Sequence, residues 1–129
     1  MYTWSTTALL LLSSAVVFSQ ERGVELMQQG RCAEALPLLR KTIPADKEAK
    51  RRVGFAGVRC AMTVNSRADA TYFLDALQRE FPKDPEILFM AVHVYSDLSI
   101  RASQELLMSA PASAQVHQLN AEALETQGE

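Results

Sequence analysis

The sequence has few residues of the kinds that catalyse reactions or bind metals. Its 129 residues include two histidines, two cysteines and one tryptophan. Two cysteines are too few for the disulfide framework of a small secreted scaffold. Five glycines and five prolines exclude collagen-like and low-complexity sequence. The composition therefore leaves few candidates for a catalytic or metal centre.

The sequence also lacks an excess of positive charge. Its 13 basic and 15 acidic residues give a formal net charge of −2. Nucleic-acid-binding proteins normally carry a basic footprint, so a nucleic-acid partner is not expected. An apolar fraction of 48% is that of a folded globular protein. The length is typical of one domain.

Charged residues are absent from the first 20 positions. Residues 8–18 form an eleven-residue, mostly apolar stretch, shorter than the roughly 20 residues of a membrane-spanning helix. This length is typical of a signal peptide, and Val17 and Ser19 suit a cleavage site at the Ser19–Gln20 bond. We therefore predict a signal peptide over residues 1–19, export to the periplasm or cell envelope, and no membrane span after its removal.

Two alternatives to this signal peptide stay open, because no lysine or arginine precedes the apolar stretch. The stretch could be a buried first helix of the domain, although it shows no polar periodicity. It could also be an uncleaved N-terminal anchor.

Apolar periodicity and helix-ending residues predict an all-α chain without strands. Asp46, Asp84 and Ser113 are expected to cap helices. The predicted helices cover residues 21–29, 32–43, 46–64, 67–81, 85–98, 102–109 and 114–127.

Three segments of the chain share one register. They open at Gly30, Asn65 and Ser99, which are 35 and 34 residues apart. In the first two segments a small residue follows five positions later and a bulky residue four positions beyond it, and a proline closes every segment. The matching residues are Ala35, Ala70, Leu39, Leu74, Pro44, Pro82 and Pro111.

This register resembles the tetratricopeptide repeat family over residues 21–129, and suggests an exported bacterial repeat protein. The resemblance implies an antiparallel helix-pair solenoid, a right-handed superhelix of about three and a half repeats within residues 20–129. The helix over residues 114–127 then lacks the second member of its pair. We expect either a longer natural repeat protein or docking against another chain.

The resemblance further implies a concave groove, lined by the first helix of each pair, that binds a protein or peptide. Guanidinium groups beside aromatic rings suit an extended peptide with an acidic side chain or carboxylate. The alternative is a solvated helix face with Phe55 in the core. The predicted groove residues are Arg52, Phe55, Arg59, Met62, Phe89, His93, Asp97, Gln118 and Glu122.

His93 and Asp97 lie four residues apart on one helix face. Such a pair is either a catalytic dyad or a surface contact. No candidate nucleophile in a sharp turn, phosphate-binding loop or metal-spaced cluster accompanies it. We therefore predict a protein that is not an enzyme and needs neither cofactor nor metal.

Cys32 and Cys60 form a candidate disulfide. Their helices are joined by a short link at Pro44 and Ala45 and should run antiparallel, which brings the start of one beside the end of the other. An exported chain enters an oxidising compartment. A bridge over 28 residues contributes about 3–4 kcal/mol in the chain-entropy model. The alternative is two small buried thiols.

Two functional hypotheses follow. The first is an exported, non-catalytic scaffold of helical repeats that binds a protein or peptide. The second is a structural assembly or oligomerisation arm of a larger envelope protein. The sequence does not fix the oligomeric state.

Overall fold

The computed structural model describes residues 18–41 and 43–128, and this part of the chain is helical without any strand. The all-α prediction is therefore confirmed. None of the described helices is both long and apolar enough to cross a membrane. The helices are α1 (residues 18–28), α2 (Cys32–Arg40), α3 (Lys47–Thr63), α4 (Arg67–Glu80), α5 (Pro85–Ser109) and α6 (Ala114–Gln127).

Most of the predicted signal peptide lies outside the described residues. The two residues of the predicted cleavage site, Ser19 and Gln20, lie in α1 and are buried. The helical stretch predicted over residues 21–29 thus begins at least three residues earlier, at residue 18, and ends at residue 28.

Two residues in the left-handed conformation end α1 and α3. Gly30 has φ +74° and Asn65 has φ +60°. Glycine adopts this region without a steric penalty, and asparagine does so more readily than other residues with a side chain. These are the residues that open the first two segments of the sequence register, so the two predicted turns are confirmed.

The third predicted turn, at Ser99, is wrong. The sequence predicted separate helices over residues 85–98 and 102–109, whereas α5 runs without a break from Pro85 to Ser109. Serine has no preference for positive φ, and neither glycine nor proline interrupts the helix between residues 86 and 109. The third predicted helix pair is therefore a single helix.

Side-chain caps fix where the helices begin. Asp46 accepts a hydrogen bond from the Ala49 amide at 2.8 Å, and Ser66 and Ser113 cap α4 and α6 in the same way. Asp84 accepts from the amides of Glu86 and Ile87. The predicted caps at Asp46, Asp84 and Ser113 are confirmed, because each side chain satisfies an amide that has no partner within its helix.

Helix α3 packs closely against α4 because it presents glycine at the contact. A Cβ at Gly54 would lie 2.6 Å from Leu77, and a Cβ at Gly57 would overlap the ring of Phe73. Leu77 and Phe73 are fully buried. The two glycines therefore leave the space that these large side chains fill.

The chain divides into two compact units, the first ending at Ala91 and the second beginning at Val92, within α5. The first unit holds nearly all of the core, including Leu26, Leu39, Val53, Phe73, Leu74 and Ile87. In the described part of the second unit only Val94 and Val116 are buried. The two units thus differ sharply in how much apolar surface they bury.

Candidate partner-binding surface

One face of α3 carries four of the predicted groove residues: Arg52, Phe55, Arg59 and Met62. At 100° per residue these positions fall within a sector of about 80°. We call this set the α3 stripe. Arg52 and Arg59 are exposed, whereas Phe55 and Met62 are half-buried. The opposite face of α3 holds the buried residues that meet α2 and α4. The stripe therefore combines exposed positive charge with partly accessible apolar surface.

The two arginines of the stripe differ from most other cations of the first unit in having no acidic partner. Arg40 pairs with Asp69, and Lys50 pairs with Glu80 at 2.7 Å. The guanidinium groups of Arg52 and Arg59 form no ion pair with any residue in the described ranges. Both positive charges are thus available to a carboxylate from outside the chain.

Arg51, next to the stripe, has a structural role that the sequence did not reveal. Its guanidinium donates to Asp84 at 2.6 Å and to Glu86 at 2.5 Å. It also lies over the rings of Phe55 and Phe81, at 5.1 and 5.6 Å from their centroids. The residue attaches α3 to the start of α5 and positions Phe55.

These contacts shift the pKa values of both partners. The hydrogen bond from Arg51 is the largest cause that lowers the pKa of Asp84 below its ordinary value of 3.8, and hydrogen bonds from the Ile87 and Glu86 amides lower it further. Hydrogen bonds to Asp84 and then Glu86 raise the pKa of Arg51. Similarly, the hydrogen bond from Lys50 is the main reason that the pKa of Glu80 is lowered. All of these groups stay charged at neutral pH.

The predicted disulfide is present. Cys32 and Cys60 are bonded, with their Cα atoms 4.7 Å apart. Cys32 is the first residue of α2 and Cys60 lies in the last turn of α3. The bond therefore joins two antiparallel neighbours, as the short link between them predicted. Both residues are buried, so the bridge forms part of the core.

The remaining groove candidates lie on α5 and α6. Phe89 belongs to the first unit and is 66% exposed. The other four lie in the second unit. Asp97 pairs with Arg101 at 2.5 Å, and Gln118 donates to Glu122 at 2.9 Å. His93 is exposed on α5. The four residues of the α3 stripe are accordingly the predicted groove residues that share one helix face. The groove as a whole stays a prediction.

The second unit exposes large apolar side chains. Met108 is 86% exposed, Leu124 69% and Val92 62%. Tyr95, Ile100 and Leu107 are also exposed. A helical segment that buries only two side chains in its described part while exposing this much apolar surface is typical of an interaction site.

Within the described residues, no group of three or more histidine, cysteine or acidic side chains is arranged to hold a metal ion. No protein-family model, no curated protein and no solved structure matches the chain.

Proposed function

We propose that this protein is an exported, non-catalytic scaffold that binds an acidic protein or peptide segment through the α3 stripe. The observation that carries the proposal is the pair of exposed arginines, Arg52 and Arg59, without acidic partners on a helix whose other cations are paired. Phe55 and Met62 add apolar contact area beside them. Bidentate guanidinium contacts next to an aromatic ring are a common basis of peptide recognition.

Two observations support export. The first 20 residues carry no charge around an apolar stretch of signal-peptide length. The Cys32–Cys60 disulfide suits an oxidising compartment such as the periplasm. Export predicts a secreted form with the mass of residues 20–129 and Gln20 at its N-terminus. Detection of only the full-length mass in the envelope fraction would contradict cleavage at this bond.

A tetratricopeptide-like arrangement of α1 to α4 is supported by the shared register. Ala35 and Ala70 are both buried, as are Leu39 and Leu74, and each pair is separated by 35 residues. We propose that these two helix pairs stack as repeats of this type. The continuous α5 limits the proposal to the first unit.

Site-specific photocrosslinking tests the binding role. A photoreactive amino acid at Met62 should give a discrete adduct in cells that export the protein, and the same group at the exposed Asp75 on α4 should not. The double variant Arg52→Glu, Arg59→Glu should abolish the adduct at Met62. Equal labelling at both positions, or an adduct that survives the charge reversal, would refute binding at the stripe.

A structural assembly arm is the second candidate function. It is supported by the exposed apolar residues of the second unit, since such surfaces in stable proteins are normally covered by another chain. If the second unit is the main interaction site, adducts form at Val92 rather than at Met62.

A further inference from the structure

The two units differ in charge as well as in burial. Twelve of the 13 basic residues precede Val92, and Arg101 is the only lysine or arginine after it. Five acidic residues follow Val92. The second unit is thus acidic, whereas the first unit carries the unpaired arginines of the α3 stripe.

The acidic character is concentrated on α6. This helix contains no lysine or arginine, and neither Glu122 nor Glu125 forms an ion pair with a described residue. Residues 120–128 are all exposed, including Leu124. An isolated helix of this length is marginally stable in water, so the last two turns of α6 gain from any surface that covers them.

The side chains of α6 can be compared with those of the stripe. At 100° per residue, Ala121, Glu125 and Glu122 lie within about 100° on one side of α6. Arg52 and Arg59 are separated by about 10 Å along α3, and Glu122 and Glu125 by about 5 Å along α6, at 1.5 Å per residue. The long, flexible arginine side chains can bridge this difference.

We propose that α6 of a second copy of this chain occupies the α3 stripe, an inference that rests on the proposed binding role of the stripe. Complementary charge favours this occupant: Arg52 and Arg59 are cations of the first unit without an ion pair to a described residue, and Glu122 and Glu125 are such carboxylates on an exposed helix of the second. Like charges make a contact between two α6 helices unfavourable. The contact joins two different surfaces of the chain. Two copies therefore form a closed dimer with two such contacts, or each copy binds the next in an open chain of copies.

A charge-swap series on the purified protein tests this proposal. Sedimentation velocity at low salt should show concentration-dependent association of the wild type. Arg52→Glu with Arg59→Glu should weaken it by about tenfold or more, and Glu122→Arg with Glu125→Arg should do the same, because each places like charges opposite one another. All four substitutions in one chain should restore association.

Lys83→Glu serves as the matched control, because Lys83 is an exposed cation of the first unit that forms no ion pair with a described residue. It should associate as the wild type does, and the helical circular dichroism of every variant should be unchanged. A wild-type chain that stays monomeric at all concentrations, or a fourfold variant that does not recover, overturns the inference.

The mass of the photoadduct distinguishes a second copy of this chain from a different partner protein. If the photoadduct at Met62 has the mass of a different protein, α6 of a second copy is excluded while the binding role stands. If neither an adduct nor association is found, both proposals are wrong.

Discussion

The carboxylate of Asp84 accepts hydrogen bonds from Arg51 on α3 and from the first amides of α5. Asp84 Oδ2 accepts from Arg51 on α3 at 2.6 Å, while Oδ1 accepts from the Glu86 amide at the start of α5 at 3.0 Å. A single side chain therefore both caps α5 and holds it against α3. Because the cap and the ion pair depend on the same negative charge, they should fail together on protonation.

Acid should destabilise the first unit through this contact and through Glu80. The pKa values of Asp84 and Glu80 are lowered in the folded state from ordinary values of 3.8 and 4.5. The two ionised carboxylates therefore contribute to the free energy of unfolding above those ordinary values. This contribution is lost as the pH falls through the lowered pKa values. Urea midpoints measured from pH 7 to pH 2 should decline mainly below about pH 4.5.

The substitution Arg51→Met should flatten this acid dependence. Without the guanidinium the pKa of Asp84 returns towards its ordinary value, so less stability remains to be lost in acid. The variant should also be less stable than the wild type at neutral pH. Arg59→Met is the control, because Arg59 is exposed on the same helix and forms no ion pair with a described residue. An unchanged pH profile in Arg51→Met would show that Arg51 does not set the pKa of Asp84.

Gly57→Ala should destabilise the protein although alanine favours helix formation. The new Cβ would overlap the ring of Phe73, which is fully buried. Overpacking should outweigh the gain in helix propensity and give a net loss of about 1–2 kcal/mol in the free energy of unfolding.

Gly128→Ala is the control for this substitution. Its Cβ would lie 3.6 Å from the Leu124 carbonyl oxygen, an ordinary contact. We expect a change within about 0.5 kcal/mol. Equal effects at both glycines in denaturant unfolding would argue against the close approach of α3 and α4.

Removal of the disulfide should cost about 3–4 kcal/mol in the free energy of unfolding, because the bridge closes a loop of 28 residues. The double variant Cys32→Ser, Cys60→Ser measures this effect, and adding reductant to the wild type should reproduce most of it. Mass spectrometry of the unreduced exported protein should show no free thiol. Two free thiols would mean that the bond does not form in the cell.

Ser99→Pro should break α5. Proline in the interior of a helix removes a hydrogen bond and costs about 3 kcal/mol. If a helix ended at Leu98, as the repeat register predicted, the same substitution would fall in a turn and be tolerated. Ser99→Ala is the control and should be neutral or slightly stabilising. Circular dichroism together with thermal unfolding distinguishes the two cases.

The sequence predicted helices well where the local chemistry of their ends was explicit. Asp46 and Ser113 are capping residues, and Gly30 and Asn65 tolerate positive φ, so these boundaries follow from the residue types. Ser99 misled the prediction because its place in the register was taken as evidence of a turn. A position in the repeat register does not by itself end a helix. The helix ends at a turn where the residue tolerates positive φ, as Gly30 and Asn65 do and Ser99 does not.

The candidate site was less predictable for a different reason. Periodicity placed Arg52, Phe55 and Arg59 on one face, but it could not tell which neighbouring cation would be paired. Arg51 was adjacent in sequence and identical in type to Arg52. Only the folded structure brings Asp84 and Glu86, at the start of α5, to Arg51 and leaves Arg52 exposed. This long-range distinction has no local signal.

The bond between Cys32 and Cys60 also affects how the chain responds to a protease. The connection between α2 and α3 lies inside the closed loop, so one cut there opens the loop without separating the two products. The nicked chain should migrate as a single species until a reductant is added, and then as two fragments. Helix α3, which carries the stripe that we propose as a binding surface, would remain tethered to α2 after such cleavage.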